Sequence, residues 1–177
     1  MKPHVPFELA VPVGAIDHVT GAPHAVATVV EYGDFECPNC KQAQPAVKML
    51  LERFTGRVRF AFRHFPLEEV HPHALSAAQA AECAGGQGKF WEMHDLLFAD
   101  QGRLEDPHLW ERAEQLELDL ERFESDRRSE AVADRVRRDF NSGVRAGVVT
   151  TPTVFSAGRM LTGQIAAREL EALQNPD

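Results

Sequence analysis

Two cysteines separated by two residues, Cys37-Pro38-Asn39-Cys40, constrain this sequence more than any other feature. They follow an apolar, β-branched run and open a segment with helical spacing. On the first turn of a helix this spacing brings both sulfurs within disulfide range, and the free N–H groups there favour a thiolate. Pro38 suits this turn because it has no N–H to lose. The motif predicts a redox dithiol, with Cys37 as nucleophile and Cys40 as the resolving thiol.

A structural zinc site is the alternative interpretation of the cysteine pair. Such a site needs four protein ligands, and the chain adds only Cys83 and scattered histidines to the pair. His64, His71 and His73 raise a metal hypothesis of their own, but no ligand set with suitable spacing is complete, and a loop rich in His and Pro explains them better. We therefore expect no bound cofactor and no metal, and a zinc-binding module is the third hypothesis.

The apolar pattern predicts a mixed α/β fold. Strand patterns at residues 28–32 and 57–63 flank a predicted helix at residues 38–54, so the dithiol lies at the carboxyl end of a strand, where α/β sheets place their sites. Helical spacing then predicts four helices, at residues 74–84, 90–98, 107–116 and 121–146. The last helix is predicted to bury a stripe at i, i+4 spacing formed by Val132, Val136, Phe140 and Val144.

The strand pattern returns near the C-terminus. Strands are predicted at residues 152–155 and 160–161, with a tight turn between them and a closing helix at residues 166–173. The chain therefore divides into four parts. They are an N-terminal extension (1–24), a β-α-β half (25–67), a helical insertion (68–148) and a β-β-α half (149–177). One interpretation of the extension is that it adds an edge strand to the sheet.

Charge and hydropathy exclude several functional classes. The net charge of −8 argues against nucleic acid or an anionic membrane as the main partner, since either needs a clustered basic face. The apolar stretch at residues 5–16 is too short to span a membrane, and residues 1–4 do not resemble a leader. We expect a monomer that does not insert into membranes and is cytoplasmic, or periplasmic if a leader has been removed.

Four motifs in order resemble the DsbA-like branch of the thioredoxin superfamily. They are residues 30–40, residues 62–67, Gly88-Lys89-Phe90-Trp91 and Thr151-Pro152-Thr153. More closely, the chain is similar to small leaderless bacterial proteins of this branch, related to domains sometimes fused to sodium/proton antiporters. The resemblance implies a thioredoxin-like fold with an inserted all-helical subdomain, and thiol-disulfide oxidoreductase activity.

The resemblance also implies roles for residues beside the dithiol and its dipeptide, Pro38 and Asn39. Pro152 matches the family's cis-proline, which lies against the dithiol and leaves the backbone of Thr151 free to pair with an extended client peptide. Glu31 matches the buried carboxylate that exchanges a proton with Cys40, with a pKa raised by burial. An ordinary strand-start proline and a partly exposed glutamate are the alternatives for Pro152 and Glu31.

A departure from the family pattern at residue 39 predicts a weaker oxidant than a Cys-Pro-His-Cys enzyme. Strongly oxidising members have a histidine where this chain has Asn39, which brings no charge, and Asp34 and Glu36 oppose an anion nearby. Thr150 stands where many relatives have glycine, which changes the loop that faces the client. Cys83, in an alanine-rich helix, is predicted to be a small buried side chain; a second resolving or regulatory thiol is the alternative.

Two functional hypotheses follow. The first is a thiol-disulfide oxidoreductase whose partners are protein thiols and disulfides, with glutathione or a thioredoxin-type protein as electron donor. A reducing compartment would make it a reductase or isomerase, and an oxidising one an oxidase. The second is a redox-sensing interaction domain that regulates a partner such as a membrane transporter.

Overall fold

A computed structural model describes residues 7–172 of the chain, and this part contains five strands and seven helices. In chain order they are β1 (His18–Gly21), β2 (Ala27–Gly33), α1 (Pro38–Arg53), β3 (Val58–His64), α2 (Ala74–Gly85), α3 (Phe90–Ala99), α4 (Asp106–Gln115), α5 (Leu120–Arg127), α6 (Glu130–Arg145), β4 (Thr153–Ser156), β5 (Arg159–Thr162) and α7 (Ala167–Ala172). Our predictions for residues 1–6 and for the end of the closing helix at Leu173 fall outside the described residues. None of the helices in residues 7–172 is both long and apolar enough to cross a membrane.

The strands form one mixed sheet in the order β1-β3-β2-β4-β5. Only β2 and β3 run parallel, and β1 lies antiparallel to β3 at one edge. Helices α2 to α6 all occur between β3 and β4 in the chain. The predicted α/β fold with a helical insertion is therefore confirmed.

Apolar residues cover both faces of this sheet, because successive strand residues point to opposite sides. On β2, Val29 belongs to the large cluster that includes α1 and the inserted helices, whereas Val30 and Tyr32 belong to a smaller cluster on the other face. By the same alternation Glu31 points towards the α1 side, and its side chain is fully buried. The register of the strand thus places a carboxyl group under the helix that begins with the dithiol.

The predicted helix at residues 121–146 is wrong, because two helices occupy this stretch. α5 ends at Arg127 and α6 begins at Glu130. Between them the side chain of Ser129 accepts a hydrogen bond from the N–H of Val132 at 3.2 Å and so caps α6. A serine in this position satisfies backbone N–H groups that would otherwise lack a partner at a helix start, and therefore favours a new helix over a continuous one.

The predicted buried stripe on α6 is correct only in part. Val136 is buried and Phe140 is half-buried, but Val144 is 52 % exposed, and Gly143 packs against the sheet instead. Each i, i+4 step turns about 40° further around a helix of 3.6 residues per turn, so the end of a long stripe leaves the core. A side chain at Gly143 has no space, since a Cβ there would lie 2.7 Å from the Phe65 ring.

Arg63 is the largest fully buried side chain in the described part. Its guanidinium donates to both carboxylate oxygens of Asp17, at 2.8 and 3.1 Å, and to the hydroxyl of Tyr32 at 2.9 Å. It also donates to the carbonyl oxygens of Val11 and Pro12. Arg63 therefore holds the segment before β1 against the sheet.

We expect Arg63→Met to lower the free energy of unfolding by on the order of 3 kcal/mol, because it leaves the carboxylate of Asp17 buried without its partner. Urea unfolding measures the effect. Arg59→Met is the matched control, since Arg59 lies on the same strand and face but donates only to the Thr28 hydroxyl, and it should cost about 1 kcal/mol. Equal losses in the two variants would contradict this role for Arg63.

Candidate active site

Cys37 and Cys40 lie at the start of α1, where Cys37 is the N-cap and Pro38 is the first helical residue. The two cysteines form no disulfide and both are buried, Cys37 with 5 % of its surface exposed and Cys40 with none. The N–H of Cys37 donates to the carbonyl oxygen of Asp34 at 3.1 Å, which closes the turn between β2 and α1. The structure thus places the dithiol where the sequence predicts it, on the first turn of a helix.

The two thiols differ in acidity. A hydrogen bond from the Cys40 thiol lowers the pKa of Cys37 to about 5, and the backbone N–H groups of Asn39 and Cys40 contribute, against the opposing effect of burial. The Thr151 hydroxyl adds to this by proximity, although its oxygen forms no well-directed hydrogen bond to a described residue. Burial raises the pKa of Cys40 well above its usual value, and the neighbouring charges of Glu31 and Cys37 add to that. One sulfur is therefore a ready nucleophile and the other a protonated reserve.

Thr151 and Pro152 lie against the dithiol, and the peptide bond between them is cis. The thiol of Cys37 donates to the carbonyl oxygen of Thr151 at 3.3 Å. This contact requires the thiol form of Cys37, so a free Thr151 backbone stays a prediction for the thiolate form. Ionisation of Cys37 removes that donor and releases the carbonyl oxygen.

Glu31 is fully buried on β2, and neither of its carboxylate oxygens has a hydrogen-bond partner among the described residues. Burial, together with the negative charge of Cys37, raises its pKa to about 8, while the side chain of Gln44 opposes the shift. Its charge in turn raises the pKa of Cys40. Glu31 is thus electrostatically coupled to both cysteines.

The sequence suggested that the two acidic residues near the dithiol oppose a thiolate. In the structure each of them is bound to a histidine. Asp34 is bound to the Nδ1 atom of His71 at 2.8 Å, and Glu36 to the Nδ1 atom of His73 at 3.0 Å. Asp34 also accepts the N–H groups of Glu36 and Leu67, and its own N–H points at the Cys40 sulfur at 3.4 Å. The carboxylates therefore organise the loop around the dithiol.

The three histidines considered as metal ligands do not share a site. His71 and His73 form the pairs described above, whereas the Nε2 atom of His64 contacts Glu82 in α2 at 2.7 Å. Cys83 is buried, and burial raises its pKa to about 12. It is a small, unreactive side chain, as its alanine-rich helix predicts.

Gln101, in the loop after α3, is a site residue that sequence reasoning missed. Its Nε2 atom donates to the carbonyl oxygens of Phe35 at 2.7 Å and Cys37 at 2.9 Å. These two carbonyls belong to the turn that presents the Cys37 sulfur to the first helical N–H groups. Gln101 lies 66 positions from Phe35, and no local pattern marks it. The insertion thus holds the active-site turn in place.

We expect Gln101→Leu to raise the pKa of Cys37 towards its usual value, because the turn loses the two hydrogen bonds that fix it. Stability should fall by about 1–2 kcal/mol. The rate of Cys37 alkylation by iodoacetamide as a function of pH reports the pKa.

Gln87→Leu is the matched control for Gln101→Leu. Gln87 makes a comparable pair of hydrogen bonds to the backbone of Asp119, within the insertion. Gln87→Leu should lower stability by an amount similar to that of Gln101→Leu and should leave the alkylation profile of Cys37 unchanged. A Gln101→Leu profile that matches the wild type would contradict the positioning role of Gln101.

Known proteins resemble this chain in sequence and in fold. A family model described as Thioredoxin matches residues 15–174. A sodium/proton antiporter of Salinispora arenicola is 49 % identical over 167 residues, which is 94 % of this chain and 26 % of that protein. An antiporter of Herminiimonas arsenicoxydans is 43 % identical over 96 % of this chain and 27 % of its own length. The chain thus spans about a quarter of the curated relatives that it matches.

Solved structures agree with the sequence relatives. A thioredoxin-like oxidoreductase from Silicibacter pomeroyi has a TM-score of 0.82 and 25 % identity, covering 89 % of this chain and 90 % of that chain. DsbA2 from Pseudomonas aeruginosa has a TM-score of 0.72 and 27 % identity, with coverage of 93 % and 94 %. The resemblance predicted from the four motifs is confirmed.

Proposed function

The chain belongs to the thioredoxin family, and from this premise we propose that it is a thiol-disulfide oxidoreductase that exchanges disulfides with protein clients. The observation that carries the proposal is the difference in acidity within one helical turn. Cys37 has a pKa of about 5, whereas the pKa of Cys40 lies well above its usual value. Such a pair supplies one thiolate for attack and keeps one thiol in reserve for resolution.

The first step is attack by the Cys37 thiolate on a client disulfide. A bond forms between Cys37 and one client sulfur, the client disulfide breaks, and the second client sulfur leaves as a thiolate. Of the two cysteines, only Cys37 has any exposed surface, so a client reaches this sulfur first. The carbonyl oxygen of Thr151, no longer bound by a Cys37 thiol, accepts a backbone N–H of the client.

The second step is resolution by Cys40. Once Cys37 is in a mixed disulfide, its negative charge is gone, and one of the two factors that raise the pKa of Glu31 is removed. Glu31 then gives up its own proton more readily, to the client thiolate released in the first step or to water, and as a carboxylate it accepts the proton of Cys40. The Cys40 thiolate attacks the Cys37 sulfur, the intramolecular disulfide forms, and the client leaves with its second thiolate. Two electrons pass from the dithiol to the client, and the reverse sequence oxidises a client dithiol.

An apolar groove that ends two residues before Thr151 in the chain supports a protein client. It has a volume of about 950 Å³ and lies between the loop after β3 and α6. Val148 and Val149, at one end of the groove, immediately precede the Thr150-Thr151 segment, and Glu68 and Glu69 also line it. The groove receives the apolar side chains of an unfolded or extended client.

The compartment and the reduction potential set the direction of exchange. A glutathione pool that keeps the dithiol reduced makes the protein a reductase or isomerase, with glutathione or a thioredoxin-type protein as electron donor. Asn39 leaves the thiolate without a cationic partner at that position, so we place the protein among the weaker oxidants. The chain needs no further cofactor for this chemistry.

Insulin reduction tests the proposal. With dithiothreitol as electron donor, the wild-type chain should accelerate precipitation of the insulin B chain, and a Cys83→Ala variant should do so equally. Reduced ribonuclease tests the opposite direction. The oxidised form of this chain should form disulfides in ribonuclease and so restore the activity of ribonuclease. Failure in both assays by a folded protein with a titratable dithiol would defeat the enzymatic proposal.

A redox-sensing domain is the second candidate, and the antiporter relatives favour it. In those proteins the region that matches this chain is about a quarter of the length. In this candidate function, oxidation of the dithiol changes the affinity of the chain for a sodium/proton antiporter. Binding of the oxidised chain and of the reduced chain to such a transporter in detergent distinguishes the two functions: a redox-dependent affinity without insulin turnover supports the sensor.

A further inference from the structure

We propose that His18, His64 and Glu82 form a binding site for a divalent transition-metal ion of the Zn²⁺ class. The Nε2 atoms of His18 and His64 lie 2.8 and 2.7 Å from the same carboxylate oxygen of Glu82. The three donor atoms all lie within 4.8 Å of one another. Within residues 7–172 this is the one group of three such side chains whose donor atoms converge in this way.

The donor set fits the ion. Zn²⁺ takes imidazole nitrogen and carboxylate oxygen at about 2.0–2.2 Å, and two histidines with one glutamate are a known three-ligand set that leaves a fourth position for water. Tetrahedral ligands at these bond lengths lie about 3.3 Å apart. Each histidine nitrogen therefore needs to move only about 0.5 Å further from the Glu82 oxygen to admit the ion.

The three ligands come from three different elements, and two of them are held by neighbours. His18 is on β1, and its ring stacks on Phe90 with 3.4 Å between the ring centres. His64 ends β3, and its backbone N–H donates to the carboxylate of Asp139 at 3.2 Å. Glu82 is on α2. A bound ion would therefore join the edge strand, a central strand and the first helix of the insertion.

Charge and access are compatible with an ion. Arg135 has one guanidinium nitrogen 3.8 Å from Glu82, and the other lies 2.5 Å from Asp139. Asp139 therefore balances this arginine, and the carboxylate of Glu82 stays available to the ion. The side chain of His18 is 18 % exposed, which opens the site to water and to an entering ion from the β1 side.

Metal titration of the purified chain tests the proposal. Cysteine thiolates are Zn²⁺ ligands in general, so the parent protein is the Cys37→Ser/Cys40→Ser variant, stripped with EDTA. Zn²⁺ added in competition with a chromogenic chelator should bind with one equivalent, and Co²⁺ should give the visible absorption of a tetrahedral N/O site. The thermal unfolding temperature should rise on addition of Zn²⁺.

His18→Gln in the same background should weaken Zn²⁺ binding at least about 100-fold, because the change removes a direct ligand and loss of outer-shell partners alone costs 10- to 100-fold. Circular dichroism without metal shows whether this edge-strand variant is folded. His108→Gln is the control, since His108 contacts Glu111 within α4 and is not one of the three ligands, so the change should leave the affinity unchanged. A parent protein that binds no Zn²⁺, or a folded His18→Gln variant that binds as tightly as the parent, would overturn the proposal.

Discussion

Cys37→Ser should lower insulin reduction to the uncatalysed rate, because it removes the sulfur that both attacks the client and forms the internal disulfide. Serine provides no thiolate, and Cys40 cannot replace it, since Cys40 is fully buried and burial raises its pKa. Cys40→Ser should behave differently. It keeps the nucleophile but loses resolution, so mixed disulfides with clients should accumulate and be visible by intact mass.

The control for both cysteine variants is Cys83→Ala, which should keep the wild-type rate because Cys83 lies buried in α2 and takes no part in the chemistry. Two outcomes would contradict the assigned roles. One is residual turnover in a folded Cys37→Ser protein, which would identify Cys40 as a nucleophile. The other is a Cys40→Ser protein that turns over normally without trapped clients.

Glu31→Gln should remove a strong dependence of stability on pH in the range above pH 4.5. Burial raises the pKa of Glu31 from 4.5 to about 8 in the folded chain. Between these two values the native state keeps a proton that the unfolded state has released, so this group makes stability fall as the pH rises. The loss approaches about 1.4 kcal/mol per pH unit and on the order of 5 kcal/mol across the window.

Urea unfolding of wild type and Glu31→Gln from pH 4.5 to 9 measures the effect. Cys37 acts in the opposite sense, because its folded pKa of about 5 lies below the usual value, but it is present in both proteins. The difference between the two curves therefore reports Glu31 together with its coupling to the cysteines: it should be small near pH 4.5 and should increasingly favour Glu31→Gln as the pH approaches 8. Glu52→Gln, an exposed change on α1, should leave the curve unchanged. Parallel curves for Glu31→Gln and wild type would contradict the buried, proton-binding role.

The sequence predicted those parts of the site that depend on local pattern. Cys37 and Cys40 are adjacent on one helical turn, and Glu31 lies in an apolar strand, so spacing and periodicity were sufficient to mark them. The break at Ser129 was missed because the same residue types suit a helix interior and a helix start, and only its side-chain hydrogen bond to Val132 decides between them.

The missed parts depend on contacts between distant segments. Gln101 reaches the active-site turn from the insertion, and His18 meets Glu82 from 64 positions away. Asp34 was expected to oppose a thiolate, but its pairing with His71 depends on how the loop after β3 meets the turn between β2 and α1. No periodicity or motif records such pairings, because they arise only after the sheet and the insertion pack together.

A redox titration of the Cys37–Cys40 pair is the decisive test of the proposed thiol-disulfide exchange. The chain is equilibrated in glutathione buffers of defined ratio, unfolded in an alkylating agent, and its thiols are counted by intact mass. We expect a single two-electron transition in which two thiols disappear together, while the third, Cys83, stays reduced throughout. A pair that stays reduced across the whole range, or that forms only glutathione adducts, would contradict a reversible Cys37–Cys40 disulfide.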